Sequence, residues 1–246
     1  SFDFIVLDNS TNNLKINFLN KFKNVKTLIG SPELYWSESI LYLLNNYSSN
    51  YKYIIIFNDD CVFNPYAFNE IFVQYLSLKK INIILGGSFY ESAKNPKISY
   101  GGYSLRKKLL TTSFEIIKPF TNVANVSVLN FNFIFMDSDY YINYFKNDLV
   151  NIRHQGLDWI VTLNSSIKSN NVFLSSKIFG YCESNPEINT YLDKNLSFLK
   201  RFGLLFSVKG LPYDSILNVN KILYPRCYPL VTFLFYLKKI LKLCIN

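Results

Sequence analysis

The stretch Tyr53-Ile54-Ile55-Ile56-Phe57-Asn58-Asp59-Asp60, continuing as Cys61-Val62-Phe63-Asn64-Pro65, decides how the chain is read. An apolar run with β-branched residues at its centre ends abruptly in an amide and two carboxylates. Such a run predicts a strand buried on both faces, as in a helix-covered parallel sheet. Ligands of open α/β sheets bind outside the carboxyl ends of the strands, so Asp59 and Asp60 are predicted to face a crevice. Adjacent carboxylates repel unless a cation or a proton lies between them, and a hard divalent ion carrying a phosphate would satisfy both. A turn or helix-capping pair explains the same two residues locally, because Asp and Asn are ordinary after strands.

Two further segments carry candidate chemistry. Asp8-Asn9-Ser10-Thr11 ends another apolar strand and would open onto the same crevice, where a carboxylate can accept from a base N–H or a ribose hydroxyl. An Asx-type turn is the local alternative. In His154-Gln155-Gly156-Leu157-Asp158-Trp159 a carboxylate sits near a predicted helix start beside an indole. A partly sheltered Asp there suits a general base, and an N-cap Asp with Trp159 in the core suits the same spacing. His154, the chain's one histidine, is read as holding this loop, with a metal or phosphate contact as the other option.

The surrounding pattern alternates. Strands are predicted at Phe2 to Leu7, Val25 to Ile29, Tyr53 to Phe57 and Ile81 to Leu85, with helical spacing at Ile40, Leu43, Leu44 and Tyr47 and again at Phe68, Ile71, Phe72 and Tyr75. Asn64 and Pro65 suit the N-cap and first position of that second helix. Alternation of this kind implies right-handed crossovers and a mostly parallel sheet flanked by helices. From Gly86 the texture changes: Gly86-Gly87 and Gly101-Gly102 bracket predicted loops, and short strands follow at Phe114 to Ile117 and Val123 to Val128. A helix is predicted from Asp158 and a further pattern over Asn195 to Phe206.

Composition narrows the class. With 246 residues, 49% hydrophobic and 17% charged, the chain buries a sizeable core and is not disordered. A formal charge of +9 calls for an anionic partner. The basic residues are scattered and match no nucleic-acid motif; their clearest cluster lies near the carboxyl end, which points to a membrane surface. Cys61, Cys182, Cys227 and Cys244 form no CxxC, so the spacing signals neither a zinc site nor a disulfide framework, and reduced thiols are expected. No apolar run approaches the roughly 20 residues that span a bilayer. Pro229 to Lys242 is apolar and basic enough to lie in a lipid interface, or to pack as an ordinary helix.

Taken in order, these pieces resemble the family 2 glycosyltransferases of the GT-A fold, especially the bacterial surface-polysaccharide type. Asp8-Asn9-Ser10-Thr11 is similar to the family's VDNxST turn, Tyr35-Trp36-Ser37 to its WW element, and Asn58-Asp59-Asp60 to the NDD form of its DXD motif. Tyr100-Gly101-Gly102 and Asn130-Phe131-Asn132, against the usual NGN, continue the match. His154 to Asp158 is similar to the HxxGD segment, and Gly180-Tyr181-Cys182-Glu183-Ser184-Asn185-Pro186 and Lys209-Gly210-Leu211-Pro212 to late elements. The likeness spans nearly the whole chain.

The resemblance implies a cytoplasmic enzyme, peripheral on the membrane, that moves a sugar with inversion from a nucleotide-sugar donor to a glycan or lipid-linked acceptor. It places the metal, Mn2+ or Mg2+, at Asp60 and Asp59. Donor contacts fall at Asp8, Asn9, Asn58 and Asp59, sugar or acceptor contacts at Trp36, Asn130, Asn132, His154 and Trp159, and the catalytic base at Asp158. It divides the chain into a GT-A domain over 1–212, with a donor half of about 1–87 and an acceptor half of about 88–212, and a helical segment over 213–246. The family begins with a further strand and helix carrying a TYN element, so the resemblance implies a sheet lacking both, or a truncated fragment. Glu38 and Ile40-Leu41 stand where small and Asn-containing residues are usual, and Phe131 where the family has glycine. A non-catalytic GT-A-like scaffold and a nucleotidyltransferase are the other classes; the first fits the missing strand, and the second has no need of the His154 to Asp158 element.

Overall fold

The computed structural model describes residues 2–10, 14–119, 121–145, 152 and 154–245. The first half runs β1 (Phe4–Asp8), α1 (Leu14–Leu19), β2 (Val25–Ile29), α2 (Trp36–Tyr47), β3 (Tyr53–Phe57), β4 (Val62–Phe63) and α3 (Ala67–Ser77). Next come β5 (Ile84–Tyr90), β6 (Ile98–Tyr100), β7 (Gly102–Lys107), β8 (Thr112–Ile116), β9 (Ala124–Asn125), β10 (Val128–Leu129) and β11 (Phe133–Asp137). The chain continues with α4 (Ser138–Tyr144), α5 (Leu157–Ser169), β12 (Val172–Tyr181), α6 (Phe198–Leu205), α7 (Tyr213–Leu223) and α8 (Tyr228–Ile245).

The central sheet is mixed, not mostly parallel. Its order is β3-β11-β5-β12-β4, with β6 beside β5 and β9 beside β12. Only β5 and β12 pair in parallel within it, because β11 runs antiparallel between β3 and β5. Side chains of β11 alternate between the two helical layers, as the twofold repeat of a strand requires. Phe133 and Phe135 pack with Ile71 and Tyr75 of α3, while Ile134 and Met136 pack with Leu157, Ile160 and Val161 of α5 and with Val219 and Val231 from α7 and α8.

Several expectations are corrected. Gly86 and Gly87 lie inside β5, not in a loop: a Cβ at Gly86 would stand 2.5 Å from the Leu129 side chain, and one at Gly87 2.5 Å from that of Phe179. The strand carries glycine because neighbouring side chains press onto its backbone. Helix α3 starts at Ala67 with Tyr66 before it, so Asn64 and Pro65 are not its cap; the Asn64 N–H instead bonds the Phe179 carbonyl at 2.7 Å. The strands β11 and β12 complete the sheet beyond those expected.

Strand β3 is not buried on both faces; within it only Ile56 is fully buried. The cause is topological. Strands β1 and β2 form their own parallel pair, in register from Phe4 opposite Val25 to Asp8 opposite Ile29. Among the described residues β1 has no strand partner other than β2, and β3 none other than β11. A cavity of about 2010 Å³ opens between them, walled by residues 2–10 on one side and 51–60 on the other. Aromatic contacts bridge it: the Phe4 ring lies 6.2 Å from Phe57 and 5.9 Å from Phe68.

The buried aromatic cluster supports the sheet. Phe133 is fully buried and contacts the rings of Phe63, Phe68, Phe89 and Phe179. Phe133→Ala should therefore cost about 3–5 kcal/mol in denaturant unfolding. Phe233→Ala, at a side chain 62% exposed, should change stability by less than about 0.5 kcal/mol. Equal effects would contradict this placement of the core.

Candidate functional site

Every side chain expected at a site lines this cavity, from Asp8 and Asn9 through Trp36, Asn58, Asp59 and Asp60 to Asn130, Asn132, His154, Asp158 and Trp159. Their contacts sort them into separate groups. At the end of β1, the Ser10 N–H bonds Asp8 Oδ1 at 2.9 Å, which is the Asx turn weighed above; Thr11 lies outside the described residues. The Asn9 side-chain amide donates to Ser39 Oγ at 2.7 Å and to the Leu34 carbonyl at 3.3 Å, tying β1 to the start of α2.

The second group holds the start of α2. Glu38 accepts from the Tyr35 N–H at 3.0 Å, so this departure from the family pattern serves as a helix-end contact. Trp36 Nε1 donates to Asn58 Oδ1 at 2.9 Å, and the Trp36 N–H reaches His154 Nδ1 at 3.4 Å. Ser37, fully buried, donates its hydroxyl to the His154 carbonyl at 2.6 Å. His154 thus fastens the loop before α5 to α2. Burial, with Lys209 nearby, lowers its pKa, which favours the neutral ring that can accept at Nδ1. The late elements brace the same loop: Gln155 Nε2 donates to the Lys209 carbonyl at 3.1 Å and Ser215 Oγ to the Gln155 carbonyl at 2.5 Å.

The third group is the sheltered acid. Asp158 sits in the first turn of α5. Its Oδ1 accepts from the Trp159 N–H at 2.9 Å, and its Oδ2 from the Asn130 amide at 3.4 Å. Burial pushes its carboxyl up to about 6 despite those two donors. Trp159 packs edge-on against Phe114 at 4.3 Å and near Tyr103 at 5.8 Å, so the indole belongs partly to the core. Phe131 is buried, its ring 6.3 Å from that of Trp36.

The fourth group brings together two cysteines that lie far apart in the sequence; all four cysteines are free thiols, as expected. Residues Val62 and Phe63 of β4 pair antiparallel with Tyr181 and Gly180 of β12, and the next pair in that register is Cys61 opposite Cys182. The approach is tight enough to need glycine: Gly180 has φ +154, and a Cβ there would stand 1.9 Å from the Val62 carbonyl oxygen. Asp60 Oδ1 lies 3.8 Å from Cys61 Sγ and 3.6 Å from Cys182 Sγ. Asn132 is buried; its amide donates to Cys182 Sγ at 3.4 Å, and its carbonyl oxygen lies 3.6 Å from Cys61 Sγ. The hydrogen bond from Cys61 to Cys182 holds the Cys61 thiol above its usual range and draws Cys182 below it. The residues are distant in the chain and share no spacing motif, so only the strand register reveals them.

The residues present fit a divalent cation in part. Asp59 and Asp60 are exposed at the cavity, while Asn58 Oδ1 is engaged by Trp36 and the nearest other donors to Asp60 are sulfurs. Lys209, Lys238 and Lys239 line the same cavity, giving it cationic as well as anionic walls. No protein-family model and no curated protein matches the sequence.

The raised pKa of Asp158 makes a stability prediction with a definite sign. Its folded value is about 6 against 3.8 for the free group, so protonation favours the folded chain. That contribution is full below pH 3.8 and is lost as pH rises through about 6. Asp158→Asn should stabilise the protein by on the order of 1–3 kcal/mol at pH 8 and by much less at pH 4. Unfolding midpoints with the same difference at both pH values would refute the sheltered environment.

Proposed function

We propose that the chain is a GT-A-type glycosyltransferase that moves a sugar from a nucleotide-sugar donor to an acceptor hydroxyl with inversion. One observation carries the reading: Asp8, Asp59, Asp60, Asn130 and Asp158, scattered over the sequence, line one cavity, and the acid expected to act as base is the one burial raises to about 6. Among the described residues β1 and β3 each keep one edge without a strand partner.

In this reading Asp158 accepts the proton of the acceptor hydroxyl as its oxygen attacks the anomeric carbon. The carbon–oxygen bond to the diphosphate breaks on the opposite face, and the nucleoside diphosphate leaves with the electron pair. Asn130 fixes the Asp158 carboxylate through Oδ2, and His154 fixes the loop that presents it. Asp8 faces the base or ribose. Trp36 and Asn58, bonded to each other, hold the rim beside Asp59 and Asp60, which would bind a divalent cation; when bound, it would neutralise the diphosphate leaving group. The cavity lysines attract the anionic donor.

The base assignment is tested by kinetics. Asp158→Asn should lower kcat/KM by about 10²–10⁴-fold while nucleoside diphosphate binding persists. The wild-type rate should rise with pH up to about 6 and then level off. Retained turnover in the variant would eliminate Asp158 as base. Nucleotide binding without turnover in the wild type would favour a binding protein.

The acceptor side of the proposal is a lipid surface. No helix among the described residues is long and apolar enough to cross a membrane. Helix α8 exposes Leu230, Phe233, Leu237 and Leu241 along one stripe, with Lys238 and Lys242 exposed beside it, an interfacial pattern. Close to α8 in space, where Phe206 stacks on Tyr236 at 5.0 Å, α6 exposes Leu199 and Phe202. Flotation with anionic vesicles should recover the protein, and Phe233→Asp with Leu237→Asp should release it. Recovery unchanged by both substitutions would remove the membrane role.

A further inference from the structure

We propose that Asp60, Cys61 and Cys182 form a three-ligand site for a thiophilic divalent cation of the Zn2+ class, open on its fourth side to the cavity. Nothing in the spacing of the four cysteines points to it; the register of β4 and β12 builds it.

Geometry supports the donor set. The ligand atoms of the three residues lie within 4.8 Å of one another. Zinc takes sulfur at about 2.3 Å and carboxylate oxygen at about 2.0–2.2 Å, so tetrahedral ligands of those two kinds stand about 3.5–3.6 Å apart. The observed sulfur-to-oxygen separations are 3.6 Å to Cys182, which already fits, and 3.8 Å to Cys61, which must close by about 0.2 Å on binding. The ligands also differ in placement. Cys182 is 2% exposed within the aromatic cluster, whereas Asp60 is exposed at the cavity wall, so a bound ion would be sealed behind and open in front. The Asn132 amide, donating to Cys182 Sγ at 3.4 Å, orients that ligand from behind, as outer groups do in built metal sites.

Chemistry then selects the ion. Magnesium and calcium take oxygen donors, and a set with two sulfurs among three protein ligands disfavours both. The site stands on these side chains alone. It rests on the glycosyl-transfer reading only for the occupant of the open position, which would then be a phosphate oxygen of the donor.

The test uses the reduced full chain and Co2+ as a spectroscopic probe, with no sugar nucleotide present. One equivalent of Co2+ should give a sulfur-to-metal charge-transfer band with the intense visible bands of a tetrahedral ion. Equimolar Zn2+ should abolish both, and excess Mg2+ neither. Cys61→Ser and Cys182→Ser should each weaken the charge-transfer band, and together remove it. Cys227→Ser and Cys244→Ser should leave it. Asn132→Ala should weaken binding by roughly ten- to a hundredfold. Asp60→Asn, at an exposed position that burial does not constrain, should weaken binding while the sulfur band survives at saturating Co2+. The proposal falls if the wild type shows no such band, if the band persists in the double cysteine variant, or if Mg2+ competes on equal terms. It falls equally if mass spectrometry of the isolated chain finds Cys61 joined to Cys182 as a disulfide. Because binding is read without donor or acceptor, each of these failures leaves the glycosyl-transfer proposal standing.

Discussion

Strand β11 is the constraint on which the remaining structure depends. Its residues Phe133 to Met136 are almost wholly excluded from solvent, and their alternation commits two aromatic rings to the α3 layer and two aliphatic chains to the α5 layer. A one-residue slip would exchange both sets. The same strand fixes the site, because it follows directly on Asn130-Phe131-Asn132 and runs beside β3. The Asn58 N–H bonds the Asn132 carbonyl at 3.3 Å, so the segment that orients Asp158 through Asn130 also fixes the height at which Asp59 and Asp60 emerge.

Acid groups at one cavity are given different environments. Asp158 has its pKa raised by burial, while Asp60 projects from an exposed turn beside two sulfurs. The two acids therefore meet the cavity from unlike surroundings, one sheltered and one exposed. The hydrogen bonds among Trp36, Asn58 and His154 span the space between them and join α2, the end of β3 and the start of α5 into one rim.

Much of this was legible in the sequence, and the failures have physical causes. Strands β2 and β3 were read with their observed bounds, because short β-branched runs between polar turns leave little choice. The parallel-sheet reading failed at β11, whose Phe-Ile-Phe-Met-Asp run is indistinguishable by periodicity from any other buried strand. Pairing direction depends on where a strand inserts, which local composition does not encode. The burial of β3 was overestimated because an apolar run does not reveal that one of its edges meets a cavity. Asp158 was placed beside a helix start and an indole, but the burial that raises its pKa comes from tertiary packing that local sequence does not encode. The thiol pair was illegible for a similar reason: Cys61 and Cys182 are neighbours only because Gly180 lets β12 close onto β4.

The parallel pair β1 and β2 meets the rest of the molecule through side chains and α2, with no strand ladder to β3 among the described residues. Cooperative unfolding follows hydrogen-bonded units, so this pair forms a local unit whose opening free energy lies below that of the central sheet. The wall bearing Asp8 and the wall bearing Asp60 thus share no backbone hydrogen bond between strands among the described residues.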